Sequence, residues 1–117
     1  MDNKTILQKA NGCVSRGDYN GFLEYCTEDT KWVFVGEQVL RGKAEVRQYM
    51  SEAYIEPPVF DIESLIAEGD FVTAVGKISM KNENGKTITY DYCDVWRLRN
   101  GKLAKLRAFV IEKGSKD

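Results

Sequence analysis

Apolar residues in the first half of the chain recur at the spacing of amphipathic helices. The spacing predicts a helix over residues 3–16, closed by Gly17, and a shorter helix that begins after Asp18, since aspartate is a favourable N-cap residue. A third helix is predicted over residues 46–54, ending before two consecutive prolines that cannot continue it. These helices present the following apolar residues: Ile6, Leu7, Ala10, Cys13, Val14, Tyr19, Phe22, Leu23, Cys26, Val46, Tyr49, Met50, Ala53 and Tyr54.

The second half of the chain alternates apolar and polar residues, which is typical of β-strands. Two short strands are expected before the third helix, at 31–36 and 38–42, and the polar sequence TEDT at 27–30 is expected to break the pattern before them. Asn-Gly pairs between the later segments predict hairpin turns. The four longer strands are predicted at 59–69, 71–81, 86–98 and 102–112. Strands grouped apart from helices indicate an α+β fold, whose curled sheet would leave a cavity at one end of the core.

Length and composition predict one globular domain over residues 1–117, long enough to bury a substantial core. The 17 basic and 18 acidic residues give a net charge of −1. Nucleic acid or an anionic membrane would favour a basic excess, so neither partner is expected. No apolar run approaches the ~20 residues of a membrane span, and the N-terminal residues lack an apolar signal core, so the expected compartment is the cytoplasm.

The chain contains three cysteines and no histidine. An odd number of cysteines without a C-x-x-C spacing favours free, buried thiols. The absence of histidine excludes Ser-His-Asp and Cys-His nucleophile systems, imidazole proton shuttles and the usual histidine zinc sites. Acid–base chemistry would therefore rest on Asp, Glu, Lys, Tyr or Cys, and no metal or cofactor is expected.

The sequence YDYCDVW at residues 90–96 places a carboxyl group among aromatic rings. Side chains alternate along a strand, so one face would hold Tyr90, Tyr92, Asp94 and Trp96. Burial there disfavours the charged carboxylate, and a neutral carboxyl can donate a hydrogen bond that a carboxylate cannot. Asp94 is therefore the candidate catalytic residue. The alternative is a structural acid paired with a tyrosine hydroxyl, a backbone amide or water.

Large aromatic side chains elsewhere are candidates for the wall of the same pocket, because small-molecule sites are built largely of such groups. The alternative is plain core packing, which for the helical tyrosine means a helix face resting on the sheet. The candidate ligand-binding residues are Trp32, Phe34, Tyr49, Tyr92 and Trp96.

The order of elements resembles that of the nuclear transport factor 2-like superfamily. The segments that carry the resemblance are GDYNGFLEYCTEDTKWVFVG, RGKAEVRQYM and CDVWRLRNGKLAKLRAF. Within the superfamily the chain resembles the SnoaL-like polyketide cyclases and the ketosteroid isomerases. The resemblance implies a cone-shaped α+β fold, in which a curved antiparallel or mixed sheet wraps around three helices of the N-terminal half and encloses a central pocket.

The position of Asp94 resembles that of the ketosteroid isomerase aspartic acid that stays protonated in an apolar site. The resemblance implies isomerisation or aldol-type cyclisation of a small apolar ligand, without a cofactor. Two parts of that machinery are missing, because the family's general base would fall within residues 32–34, which are apolar, and its helical tyrosine would fall near Ala10. Epoxide hydrolase relatives use an Asp–Arg–Asp set. The only arginine candidate for such a set near Asp94 is Arg107, and strand parity is expected to turn its side chain to the outer face of the sheet.

Three functions remain open at this point. The first is an isomerase or cyclase, the second a ligand-binding protein without chemistry, which the apolar base position favours, and the third an interaction module. Members of this fold often pair through the outer face of the sheet, so a homodimer is expected. The apolar residues expected on that face are Val75, Cys93, Val95, Phe109 and Ile111.

Overall fold

The computed structural model describes residues 1–112 as three helices and six strands. The helices are α1 (Asn3–Ser15), α2 (Tyr19–Glu24) and α3 (Gly42–Ala53), and the strands are β1 (Cys26–Phe34), β2 (Gln38–Arg41), β3 (Val59–Glu68), β4 (Phe71–Lys81), β5 (Thr87–Arg99) and β6 (Lys102–Glu112). This is the predicted α+β order, with the helices in the N-terminal half. The predicted domain limit, residue 117, lies outside the described residues.

Local capping explains where the first two helices begin and end. Asp2 precedes α1 and its carboxylate accepts a hydrogen bond from the Thr5 backbone N–H at 2.9 Å. Gly17 follows α1 with a φ of +77°, a conformation that glycine adopts without a steric penalty. Asp18 then caps α2 by accepting from the Gly21 backbone N–H at 2.9 Å. The predicted roles of Gly17 and Asp18 are therefore confirmed.

The strands form one open mixed sheet in the order β2-β1-β6-β5-β4-β3. Neighbouring strands are antiparallel except β1 and β6, which are parallel. The helices pack against the inner face of the curved sheet, and α3 makes its closest approach to β1 and β2. This arrangement agrees with the cone-shaped fold that the resemblance implied.

Strand β1 begins earlier than predicted, and this corrects the reading of TEDT as a break. Cys26 opens the strand rather than continuing α2, and pairs with Leu103 of β6. Thr30 is fully buried, and its hydroxyl donates to the Leu103 carbonyl at 3.1 Å. The buried Thr30 hydroxyl is thus satisfied by a carbonyl 73 residues further along the chain.

A β-bulge in β3 depends on the glycine opposite it. The register of β3 against β4 shifts between Ile62 and Ser64, next to Gly76. A Cβ atom on Gly76 would collide with the Asp61 carbonyl oxygen and lie 2.9 Å from the Ile62 Cα. Glycine at this position therefore permits the close backbone approach that bends the sheet over the helices.

Within residues 1–112, no helix has both the length and the apolar character needed to cross a membrane.

Candidate functional site

A cavity of about 180 Å³ lies between the inner face of the sheet and the helices. Its wall combines nine aromatic side chains, six aliphatic ones, the amides of Asn11 and Gln38, and the carboxyl groups of Glu37 and Asp94. No lysine or arginine from residues 1–112 lines it. The cavity is therefore apolar with an acidic character. The aromatic residues are Phe22, Trp32, Phe34, Tyr49, Tyr54, Phe60, Tyr90, Tyr92 and Trp96.

Trp32 of β1 is the centre of the aromatic wall. Its ring centroid lies 5.7 Å from Phe22, 5.9 Å from Trp96 and 6.1 Å from both Phe34 and Tyr49, in edge-to-face arrangements. Such pairs are favourable beyond the area that they bury. The contacts join α2, β1, β5 and α3, so the wall is held from both layers of the fold.

Asp94 lies in the middle of β5, where its neighbours leave room for the cavity. The residues paired with it on β4 and β6 are Ala74 and Ala108, two small side chains on the same inner face. No group within residues 1–112 is hydrogen-bonded to the Asp94 carboxyl, and Asp94 lines the cavity. Desolvation by burial raises the pKa of Asp94 from its ordinary value of 3.8 to about 7.

Two further polar atoms of the cavity wall lack partners. The indole Nε1 of Trp32 and the phenol oxygen of Tyr92 are buried, and neither has a hydrogen-bond partner in the part of the chain that the structure describes. Buried polar groups are nearly always hydrogen-bonded, so unpaired ones call for a partner such as water or a ligand. Both residues line the cavity together with Asp94.

The phenols in the wall are neutral donors. Burial raises the pKa of Tyr49 to about 12, with smaller effects from the charges of Glu37, Tyr90 and Asp94. Burial, and then the charge of Asp94, also raises the pKa of Tyr92, and burial raises that of Tyr54 well above its ordinary range. These hydroxyls can therefore donate hydrogen bonds but are poorly suited to act as bases.

All six residues that the sequence singled out lie in the wall of this one cavity: Asp94, Trp32, Phe34, Tyr49, Tyr92 and Trp96. Their roles in binding or catalysis remain predictions. The positions of the two missing family residues stay apolar, since Ala10 is fully buried and residues 32–34 carry no acid. Arg107 is exposed, with its guanidinium 5.5 Å from the Phe109 ring, so it does not reach the cavity.

The sequence reading missed Glu37 as a residue of this cavity. Glu37 lies in the turn between β1 and β2, and a carboxylate in a turn ordinarily indicates only a solvated position. Tyr54 directly follows α3 and was predicted only as an apolar position of the third helix. Its ring lies edge-to-face against Tyr49 with a centroid distance of 6.0 Å.

The family model for the SnoaL-like domain matches residues 7–106. The chain belongs to the SnoaL-like domain family. A search of proteins with curated functional descriptions finds no match for this SnoaL-like chain.

Solved structures similar to this SnoaL-like domain share its fold over almost the whole chain. SalBIII, described as an epoxide hydrolase/cyclase-like enzyme with a role in pyran ring formation in the polyether salinomycin, is 26% identical, with a TM-score of 0.84 over 98% of this chain and 92% of that one. TerC, co-crystallised with polyporic acid, is 19% identical, with a TM-score of 0.79 over 92% of this chain and 89% of TerC. A nuclear transport factor 2-like protein from Burkholderia pseudomallei is 19% identical, with a TM-score of 0.81 over 92% of this chain and 90% of that protein.

Proposed function

We propose that this SnoaL-like domain binds a small, mostly apolar molecule, and that Asp94 donates a hydrogen bond from its neutral carboxyl to a carbonyl or phenol oxygen of that molecule. The reaction is an isomerisation or an aldol-type cyclisation, in which this oxygen gains negative charge. The observation that carries the proposal is a carboxyl group in an aromatic cavity that has no hydrogen-bond partner among residues 1–112.

The protonation state of Asp94 supports this role. A donor placed where negative charge develops stabilises the transition state without reorganisation, most strongly where water is excluded. With a pKa of about 7, Asp94 is predominantly neutral below neutral pH and is still partly neutral at pH 7. The unpaired Trp32 N–H and Tyr92 hydroxyl would add donors to the same oxygen or to a second polar group of the ligand.

The size of the cavity limits the ligand. A cavity of about 150 Å³ lined by apolar side chains is known to hold benzene, so about 180 Å³ encloses roughly one ring system. Larger ligands would have to extend past the rim formed by Glu37 and Gln38, which are both exposed. The likeness to SalBIII, described with a role in ring formation, supports the cyclisation branch of the proposal.

An NMR titration of the aspartate carboxyl groups tests the protonation state, with Asp94→Asn to assign the signal. We expect a midpoint near 7 for Asp94, because burial opposes its ionisation. A midpoint near 3.8 would remove the basis for a neutral donor. With a phenol or enone substrate in hand, Asp94→Asn should keep partial turnover because the amide still donates, whereas Asp94→Ala should lose more. Equal turnover by wild type and Asp94→Ala would reject the catalytic role.

A second candidate function is ligand binding without chemistry. The apolar residues at 32–34, where the related isomerases carry a general base, favour it. Prolonged incubation with a bound ligand separates the two functions, because a binding protein returns the ligand unchanged and an enzyme does not.

We also propose that two copies pair through the outer face of the sheet. Val75, Cys93 and Phe109 lie side by side in register across β4, β5 and β6 on that face. Ile111 is 70% exposed beside them. Burying this apolar stripe would be favourable. We expect a dimer by sedimentation at micromolar concentration and a monomer for Phe109→Glu, whereas Ile55→Glu, an exposed apolar position outside the sheet, should stay dimeric. A monomeric wild type would contradict the proposal.

A further inference from the structure

Glu37 occupies the rim of the cavity because of the turn that carries it. Gly36 adopts a φ of +84°, and the Glu37 backbone N–H donates to the Phe34 carbonyl at 2.9 Å. This tight turn follows directly on the inward-facing Phe34. The Glu37 side chain lines the cavity while remaining exposed to solvent. The site therefore has one carboxyl group in its interior and one at its mouth.

The two carboxyl groups act on one shared neighbour. The charges of Glu37 and Asp94 both raise the pKa of the Tyr49 phenol, and Glu37 also acts on Tyr90. Tyr49 packs on Phe34 with a centroid distance of 5.0 Å. Glu37, Tyr49 and Asp94 thus line the same cavity.

Within the described part of the chain, no cation is paired with the Glu37 carboxylate. Within residues 1–112, the ion pairs of the chain all involve other acids, and no basic side chain lines the cavity. An exposed carboxylate without a cationic partner keeps its lone pairs available to accept a proton. The buried carboxyl and the exposed one therefore meet the different environments that separate an acid from a base in one site.

We propose that Glu37 is the proton acceptor of this site and works opposite Asp94. This inference rests on the proposed function. Glu37 takes the proton from a carbon next to the substrate carbonyl; the C–H electron pair forms the C=C bond of an enolate, and the carbonyl π pair moves to the oxygen that Asp94 hydrogen-bonds. Isomerisation ends when Glu37 returns the proton to another carbon. Cyclisation ends when the enolate carbon attacks a second carbonyl carbon of the same molecule. The new C–C bond forms as the π pair of that carbonyl moves to its oxygen, and Glu37 returns the proton to that oxygen.

The base-catalysed ring opening of 5-nitrobenzisoxazole tests the role of Glu37 without knowledge of the natural substrate. In this reaction a base removes the C–H proton and the C–H electron pair forms the third C–N bond of a nitrile. The N–O bond breaks, and its electron pair leaves on a phenolate oxygen. The probe is small, planar and neutral, and matches the apolar cavity. At pH 5.5 the Asp94 carboxyl is mostly neutral, so its contribution as a base is small.

We expect Glu37→Gln to lower kcat for this probe by ~100-fold, the size of a general-base contribution, while affinity for 4-nitrophenol changes less than about twofold. The matched control is Glu68→Gln, because Glu68 is an exposed acid at the end of β3 that does not line the cavity. It should keep the wild-type rate. Equal rates for wild type and Glu37→Gln would overturn the proposal.

Asp94→Asn separates failure of this inference from failure of the proposed function. A lower kcat for Glu37→Gln, with an unchanged kcat for Asp94→Asn and Asp94→Ala, would keep Glu37 as the base and reject the donor role of Asp94. A lower kcat for Asp94→Ala alone would keep Asp94 as the donor and reject Glu37 as the base.

Discussion

Asp91 and Asp94 lie three residues apart on β5, yet they meet opposite environments. Asp91 faces outward, is exposed, and lies 3.9 Å from the Lys77 ammonium, which also pairs with Glu63 at 2.7 Å. Asp94 faces inward between two alanines, and no cation from residues 1–112 lies against it. The alternation of strand side chains places the two acids on opposite faces. The same residue type is therefore part of a solvated charge network on one face and a buried acid on the other.

The same contrast extends across the sheet. Inner-face residues such as Val72 and Ala74 are at most 1% exposed, whereas Phe71 and Val75, next to them in sequence, are 47% and 36% exposed. The inner face holds the cavity and its unpaired polar atoms, and the outer face holds ion pairs and an apolar stripe. Substitutions matched between the two faces can therefore test which physical property belongs to which face.

The largest expected effect is on the pH dependence of stability. The folded state holds a proton on Asp94 up to about pH 7, but the unfolded chain loses it near 3.8. The stabilisation from this proton is fully present below pH 4 and is lost as pH rises toward 7, because the unfolded state then binds fewer protons. Each pKa unit is worth about 1.4 kcal/mol, so the limit is about 4 kcal/mol, reduced where cavity water screens the charge.

Urea unfolding at pH 5 and pH 8 measures this effect. Wild type should lose up to several kcal/mol of unfolding free energy over this range, whereas Asp94→Asn should lose much less and be the more stable protein at pH 8. Asp91→Asn, the outward-facing control, should follow wild type. A wild-type protein whose stability does not fall between these pH values would show that Asp94 is hydrated.

A smaller loss of stability is expected when a side chain is added at the glycine opposite the β3 bulge. Gly76→Ala introduces a Cβ that collides with the Asp61 carbonyl, so backbone must move, at a cost of about 1–3 kcal/mol. Val59→Ala on β3 removes a side chain that is 66% exposed and lies outside the proposed dimer stripe, so it should cost less. Thermal unfolding of the two variants measures the difference. Equal melting temperatures would mean that the bulge relaxes freely.

Strand parity explains how much of the fold and of the candidate site could be predicted from the sequence. The strict alternation in β4 and the aromatic run in β5 are local patterns, so they predicted the inner face and the position of Asp94 correctly. The start of β1 could not be read, because Thr30 enters the sheet through a hydrogen bond to Leu103. Glu37 was missed for a similar reason, since its position in the cavity depends on the β1–β2 turn meeting Tyr49 of α3.

The smallest expected changes in stability come from removing a hydroxyl group on either face of the sheet. Tyr92→Phe removes an inner-face hydroxyl that has no hydrogen-bond partner within residues 1–112, so stability should change by less than about 1 kcal/mol and could increase. Thr89→Val on the outer face instead breaks the 3.1 Å hydrogen bond with Ser79 and should destabilise by about 0.5–1.5 kcal/mol. Denaturant midpoints of both variants decide the comparison. If Tyr92→Phe is the more destabilising, the Tyr92 hydroxyl is already bound to ordered water in the cavity, and a ligand would have to displace that water to reach it.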